Sequence, residues 1–145
     1  MNSTLLEFLL RGAGAIAAYA AVGVILLIIG FYVIDWATPG KLSEVIRTER
    51  NPNAALLATS AMGAIGLIVA ASIWSSGGKL VEGLAATAVF GLVGIVMQTL
   101  AMLAFDRVVG ISVRDLVKES ELQPGARMLA VTHVAIGLIT AVAVI

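Results

Sequence analysis

Residues 13–34 read AGAIAAYAAVGVILLIIGFYVI, with no Asp, Glu, Lys or Arg among them. A hydrocarbon core about 30 Å thick is crossed by about 20 helical residues rising about 1.5 Å each. The stretch therefore spans a bilayer as one helix, the conformation in which a single segment satisfies its own backbone polar groups in lipid. Outward from it, uncharged runs of matching length recur at 54–74, 84–105 and 128–145. The expected fold is an all-α membrane protein with four transmembrane helices. No basic region precedes the first run, it exceeds a signal-peptide core in length, and no clear cleavage site follows it, so it is read as a mature helix.

Composition agrees with lipid as the solvent. Mean hydropathy is +1.05. Of the 145 residues, 60% are hydrophobic and 12% charged, about half the roughly 25% charged of a soluble domain. No polar stretch is long enough for a separate catalytic domain. Nine Lys plus Arg balance nine Asp plus Glu, so no basic excess points to nucleic acid. The absence of cysteine removes disulfides, thiolate metal sites and cysteine nucleophiles together, and says nothing of compartment. With His133 as the one histidine, neither a metal centre nor any other cofactor is expected. No Gly-rich phosphate loop follows a strand, and no Ser, His and acidic group share a depth, so an enzyme is not expected either.

Segments 35–53 and 106–127 share one side of the membrane. They hold Lys41, Arg47, Arg50, Arg107, Arg114, Lys118 and Arg127, against Arg11 and Lys79 on the other side. The positive-inside rule makes these two loops cytoplasmic and both termini external. Tyr32 and Trp36 then fall at the inner interface and Trp74 at the outer one, where amphipathic rings are favoured. Within the loops, Leu42, Val45 and Ile46 share one face of a short helix over 41–50, with Thr38 and Pro39 as its cap and first turn. Val113, Leu116 and Val117 do the same over 112–121, with Ser112 and Asp115 as a cap pair. Both amphipathic loop helices are expected to lie along the headgroups.

Sliding the chain over itself by 71 residues lays 35–74 on 106–145 with eight identities in forty positions. They include Asp35 with Asp106 and the string AIGLI at 64–68 and 135–139. The chain then consists of two tandem hairpins, 1–74 and 75–145. Units with an even number of helices run in the same direction, as parallel repeats about an axis along the membrane normal.

The set Asp35-x-x-Thr38-Pro39, then Leu42, Ile46 and Asn53-Ala54-Ala55 opening a glycine-bearing helix, resembles the YjfL-like bacterial inner-membrane proteins, the family called domain of unknown function 350. The resemblance covers nearly the whole chain and fits that family's duplicated hairpin. The second copy keeps Asp106 but lacks Thr-Pro, and carries Gln123-Pro124-Gly125-Ala126 in place of Asn-Ala-Ala. The resemblance implies a location in the bacterial inner membrane and a setting beside cytoplasmic membrane-remodelling or flotillin-like scaffold proteins.

Asp35 ends the first helix, where the negative end of the dipole offers a carboxylate nothing. The amides of the following turn, or Arg47 or Arg50, are left to hold it, and Asp106 poses the same question. A turn-forming role outweighs a functional one for both. Asn53 reads as an N-cap, with ligand or ion contact as the alternative. Inside the hydrocarbon, His133 and Gln98 lie about 9–12 Å from the loop-side surface at about 1.5 Å per residue. Ser60 and Thr132, with Thr59 and Thr99, fall near that level. A polar layer joining the second, third and fourth spans is expected, because unpaired polar groups in lipid seek each other. Interhelical glue is its simpler role and a permeation or proton-relay path the alternative. Gly12, Gly14, Gly63, Gly66, Gly91, Gly94 and Gly137 with many alanines allow close helix approach, and their number favours a homo-oligomer.

These features make the expected protein a non-enzymatic structural or interaction component whose loops dock cytoplasmic membrane-associated partners. The alternative is an oligomeric channel or small-solute conduit with its constriction at the polar layer.

Overall fold

The computed structural model describes residues 3–38, 41–77 and 79–145. They form six helices and no strand: α1 (Ser3–Ala37), α2 (Leu42–Arg47), α3 (Pro52–Ser75), α4 (Leu80–Val109), α5 (Val113–Leu116) and α6 (Pro124–Val144). Helices α1, α3, α4 and α6 are each long and apolar enough to cross a membrane, and the chain is a multi-pass membrane-spanning protein. Short helices α2 and α5 close the same end of the bundle.

The four long helices overrun most of the uncharged runs that announce them. Helix α1 begins ten residues before Ala13 and α4 ends at Val109 rather than Phe105. Charge ends a hydrophobic run without ending a helix, since Glu7, Arg11, Glu82 and Arg107 are ordinary helix formers. What ends α4 is Gly110, in the left-handed conformation at φ 69°, where glycine carries no steric cost.

The loop helices are shorter than expected. Helix α2 stops at Arg47 instead of reaching Arg50, whose φ of 52° breaks the helical path. Helix α5 stops at Leu116, because the next carbonyls are spent on contacts outside the helix, described below. Their apolar residues turn inward, onto the bundle. Leu42, Val113 and Val117 are buried in the same cluster as Ile34, Ala54, Leu57 and Leu129, so α2 and α5 plug the end of the bundle.

Helix α3 is the central element and packs on α1, α4 and α6, while α1 also touches α4 and α4 touches α6. Small residues set the spacing. A Cβ added at Gly137 on α6 would come 2.6 Å from the Cα of Ala64 on α3, so the two backbones are nearly in contact. On α4, Gly91 seats Leu26 and Gly94 seats Ile68; on α1, Gly30 seats Ile65. This is the close approach by which helices gain packing energy in lipid, where tails are as apolar as the side chains.

The buried residues of α6 are Ala126, Leu129, Ala130, His133, Gly137 and Ala141. Each lies 72 positions after a buried residue of α3: Ala54, Leu57, Ala58, Ala61, Ile65 and Val69. The two N1 prolines, Pro52 and Pro124, obey the same offset. The loop helices instead match at 71, Leu42 with Val113, so one extra residue sits between Val117 and Pro124. The AIGLI strings, aligned at 71, therefore occupy different faces: Ala64, Ile65 and Ile68 are buried, whereas Ala135 and Ile139 are exposed.

Candidate functional site

Two groups of polar side chains stand out: one ties the loop end of the bundle together and the other lies within the membrane-spanning part.

At the loop end, Asn51 is the N-cap of α3, its side-chain oxygen accepting from the backbone N–H of Ala54 at 2.9 Å. Its Nδ2 donates to the carbonyls of Val117 and Glu119, both at 2.9 Å. Asn53, one turn-position further in and fully buried, does not cap the helix as the sequence suggested. Its Nδ2 donates to the carbonyls of Glu119 at 3.0 Å and Glu121 at 2.8 Å, and its Oδ1 accepts from the N–H of Gln123 at 2.8 Å. Pro52 explains the exchange of roles: proline pre-set at N1 makes the residue before it the cap, which leaves Asn53 free to reach across. The Asn-Pro pair was the available signal for Asn51; nothing local signals the partners of Asn53, 66 to 70 positions away. The chain turns at 117–118 and bends at 120–121, which brings the carbonyls of 117, 119 and 121 to the two asparagines.

Asp35 and Asp106 play matching parts. Asp35 Oδ1 accepts from the N–H of Ser43 at 3.4 Å, and Asp106 Oδ1 from that of Val113 at 3.3 Å. Each carboxylate thus reaches past the end of its own long helix to the first turn of the following short one, where the dipole favours it. Neither Arg47 nor Arg50 pairs with Asp35; the ion pairs among the described residues are Glu7 with Arg11, Lys79 with Glu82, and Asp115 with Lys118. Thr38 is buried and its N–H closes the last turn of α1 on the Ile34 carbonyl. It does not cap α2, whose N-cap is Lys41 with no side-chain bond; Pro39 lies outside the described residues. Ser112 does cap α5, accepting from the N–H of Asp115.

The outer surface of this end is charged. Lys41, Glu44, Arg47, Arg114, Asp115, Lys118, Glu119 and Glu121 are all exposed, and two shallow grooves lie beside α2 and α5. The Lys118 ammonium bonded to Asp115, and then the Ser112 hydroxyl, hold the Asp115 carboxyl below the usual aspartate value. A lowered carboxyl stabilises above the ordinary carboxylate range and loses that contribution as pH falls through its own pKa. Being wholly exposed, this pair is screened by salt.

Within the span, the structure joins three of the expected polar residues. Ser60 Oγ lies 3.2 Å from His133 Nδ1 and also donates to the Leu57 carbonyl at 2.9 Å. Gln98 Nε2 donates to the His133 carbonyl at 3.0 Å. Helices α3, α4 and α6 therefore meet at Ser60, Gln98 and His133. Thr132, Thr59 and Thr99 do not take part; each returns its hydroxyl to a carbonyl of its own helix, at Met128, Ala55 and Ile95. No polar partner reaches Gln98 Oε1, His133 Nε2 or the Oγ1 of Thr87, all buried. Thr87, fully enclosed on α4, escaped the sequence reading because it lies far from the level of the other polar groups.

Comparison with known proteins agrees with this architecture. A UPF0719 transmembrane protein of Mycolicibacterium paratuberculosis is 37% identical over 135 residues, covering 93% of this chain and 89% of the relative. UPF0719 transmembrane proteins of Mycobacterium bovis and Mycobacterium tuberculosis are each 31% identical with the same coverage. No solved structure matches the chain. The family described as Domain of Unknown Function (DUF350) matches residues 7–144, from the first turns of α1 to the last residue of α6, and the chain belongs to it.

Proposed function

We propose that this protein is a non-enzymatic docking component of the bacterial plasma membrane, offering its loop end to a cytoplasmic membrane-associated protein. One observation carries the reading: the side chains of Asn51 and Asn53 together make six hydrogen bonds, five of them to the backbone of the opposite loop. Two loops that merely connected helices would need no such tie, whereas a surface that must present both α2 and α5 at fixed spacing does. Segments 35–53 and 106–127 hold seven basic and seven acidic residues. A mixed pattern of that kind is read by a complementary protein surface better than by a polyanion. Scaffold proteins of the membrane-remodelling or flotillin-like kind, implied by family resemblance, are the partner class we favour.

The orientation that goes with this proposal puts the loops inside and both termini outside, as the basic bias of the loops supports. The reading of the chain as two parallel copies draws support from the constant offset of 72 between the buried faces of α3 and α6.

The test places a photo-crosslinking residue at Glu44 or at Arg114, on separate loops, in cells. One shared protein adduct from both sites, lost in Asn53→Ala, is the expected outcome. Separate adducts, or none, overturn the proposal.

A second reading, an oligomeric conduit for a small solute, rests on the bare polar atoms of Gln98 and His133. Polar groups without partners are costly in hydrocarbon, and a path for water or solute would offset that cost. Solute flux through protein-containing liposomes, reduced by His133→Ala, is its expected signature; impermeable liposomes eliminate it.

A further inference from the structure

Helix α1 has 35 residues and is about 52 Å long at about 1.5 Å per residue, against a hydrocarbon core of about 30 Å. Tilt does not absorb the difference, because spans lean by about 40° at most. The packing of Leu26 on Gly91 and Gly30 on Ile65 also fixes how α1 leans. At the end away from the loops, the Tyr19 hydroxyl meets that of Ser76, the C-cap of α3, at 2.9 Å. That contact marks the level at which α3 ends. Helix α4 starts about one turn beyond that level, at Leu80; past it, among the described residues, every residue of α1 from Thr4 to Gly14 is exposed.

The overhang is not polar. Leu5, Leu6, Phe8, Leu9 and Leu10 are all exposed, Phe8 at 73%. At about 100° per residue, Thr4, Glu7 and Arg11 fall within about 60° of one another, and the five apolar side chains fill the rest of the circumference. Glu7 and Arg11 form an i,i+4 ion pair, so the polar face is charged yet neutral overall. A helix standing upright in lipid has no need of such segregation; one lying in the boundary between headgroups and acyl chains does. Gly12 and Gly14, with nothing within 4 Å of an added Cβ, lie between the overhang and the packed part of α1; the helix is unbroken through them in the structure, and an in-plane overhang requires it to bend there, where glycine weakens the helix.

We propose that Thr4–Arg11 is an in-plane lipid anchor on the membrane face opposite the loops, its Leu5–Leu6–Leu9 side immersed and its Thr4–Glu7–Arg11 side in water. The occupant of the exposed apolar face is the lipid surface itself, because the apolar residues lie beyond the reach of the hydrocarbon while α1 stands straight. This assignment is independent of the docking role of the loop end.

The chain has no cysteine, so single cysteines at each position from 4 to 11 can carry a nitroxide label without further change. None of these side chains is packed on the bundle, so the fold is preserved. In phosphatidylethanolamine and phosphatidylglycerol vesicles, collision rates with oxygen and with a water-soluble nickel chelate report the depth of each label. The expected result is a depth that oscillates with the helical period, labels at 5, 6 and 9 lying about 5–10 Å below the headgroups and labels at 4, 7 and 11 in water. A depth changing steadily by about 1.5 Å per residue would describe an upright helix and overturn the proposal. Protection at 5, 6 and 9 that vanishes when the protein is diluted in lipid would assign the face to a second copy of the chain and overturn it equally.

Discussion

Asn53 shows how much one side chain can decide. Its amide and carbonyl serve Glu119, Glu121 and Gln123 together; an alanine there leaves the Gln123 N–H without its partner and takes one of two donors from each of the Glu119 and Glu121 carbonyls, which keep Asn51 Nδ2 and Gln123 Nε2. An orphaned N–H costs about 1–3 kcal/mol when water does not replace the bond, and each hydrogen bond lost from a carbonyl that keeps another donor about 1 kcal/mol. Because these contacts are only part-buried, a loss of about 2–4 kcal/mol is expected for Asn53→Ala. Hydrogen exchange should show faster exchange concentrated at 117–123, while α1 and α4 are unchanged. Gln98 offers a contrasting case, since it makes one bond through Nε2 and leaves Oε1 bare. Gln98→Leu removes a hydrogen bond worth about 1 kcal/mol and also an orphaned acceptor. Thermal stability in detergent should therefore change little or rise, and a loss above about 2 kcal/mol would mean that Oε1 has a partner. The sequence placed Ser60, Gln98 and His133 at one depth because depth follows from counting residues. It did not separate them from Thr132, since which way a hydroxyl turns depends on the neighbouring helix.

At the scale of elements, the spans were legible because absence of charge over about 20 residues has one physical meaning in a chain this apolar. Their ends were not, because a helix runs on past the membrane edge until a glycine, a proline or a competing bond stops it, as at Gly110. The loop helices were legible as amphipathic but their destination was not: the same apolar face serves lipid or protein, and here Leu42 and Val113 face protein. The pairing of α3 with α6 depends most on Gly137. Any side chain there meets the Ala64 backbone, and a backbone cannot step aside as the tip of a leucine can. Gly137→Leu is expected to cost more than about 3 kcal/mol, at the top of the range for overpacking, and to separate α3 from α6. Gly91→Ala meets only the flexible end of Leu26 and should cost about 1 kcal/mol or less. Denaturant titration of the two variants in detergent would rank them, and equal losses would contradict this account of the α3–α6 contact.

At the scale of the molecule, the four spans share burial unequally. Of the most apolar window of α3, 56% is buried within the chain, against 11% for α1, so α3 is a hub and α1 a peripheral helix held by a few glycine seats. The hub still has an unused side. Gly63 and Gly66 on α3 have nothing within 4 Å of an added Cβ, although small residues on a membrane helix are otherwise spent on close contacts, as Gly137 is. Lipid gains nothing from a glycine over a leucine there, whereas a second subunit does. Gly63→Leu with Gly66→Leu is therefore expected to leave the fold of one chain intact while shifting its mass in native mass spectrometry from oligomer to monomer. Gly137→Leu, by contrast, should damage the fold first. If the parent protein is already monomeric in mild detergent and in lipid nanodiscs, the free face of α3 belongs to lipid. The docking surface proposed at the loop end then acts as a single copy.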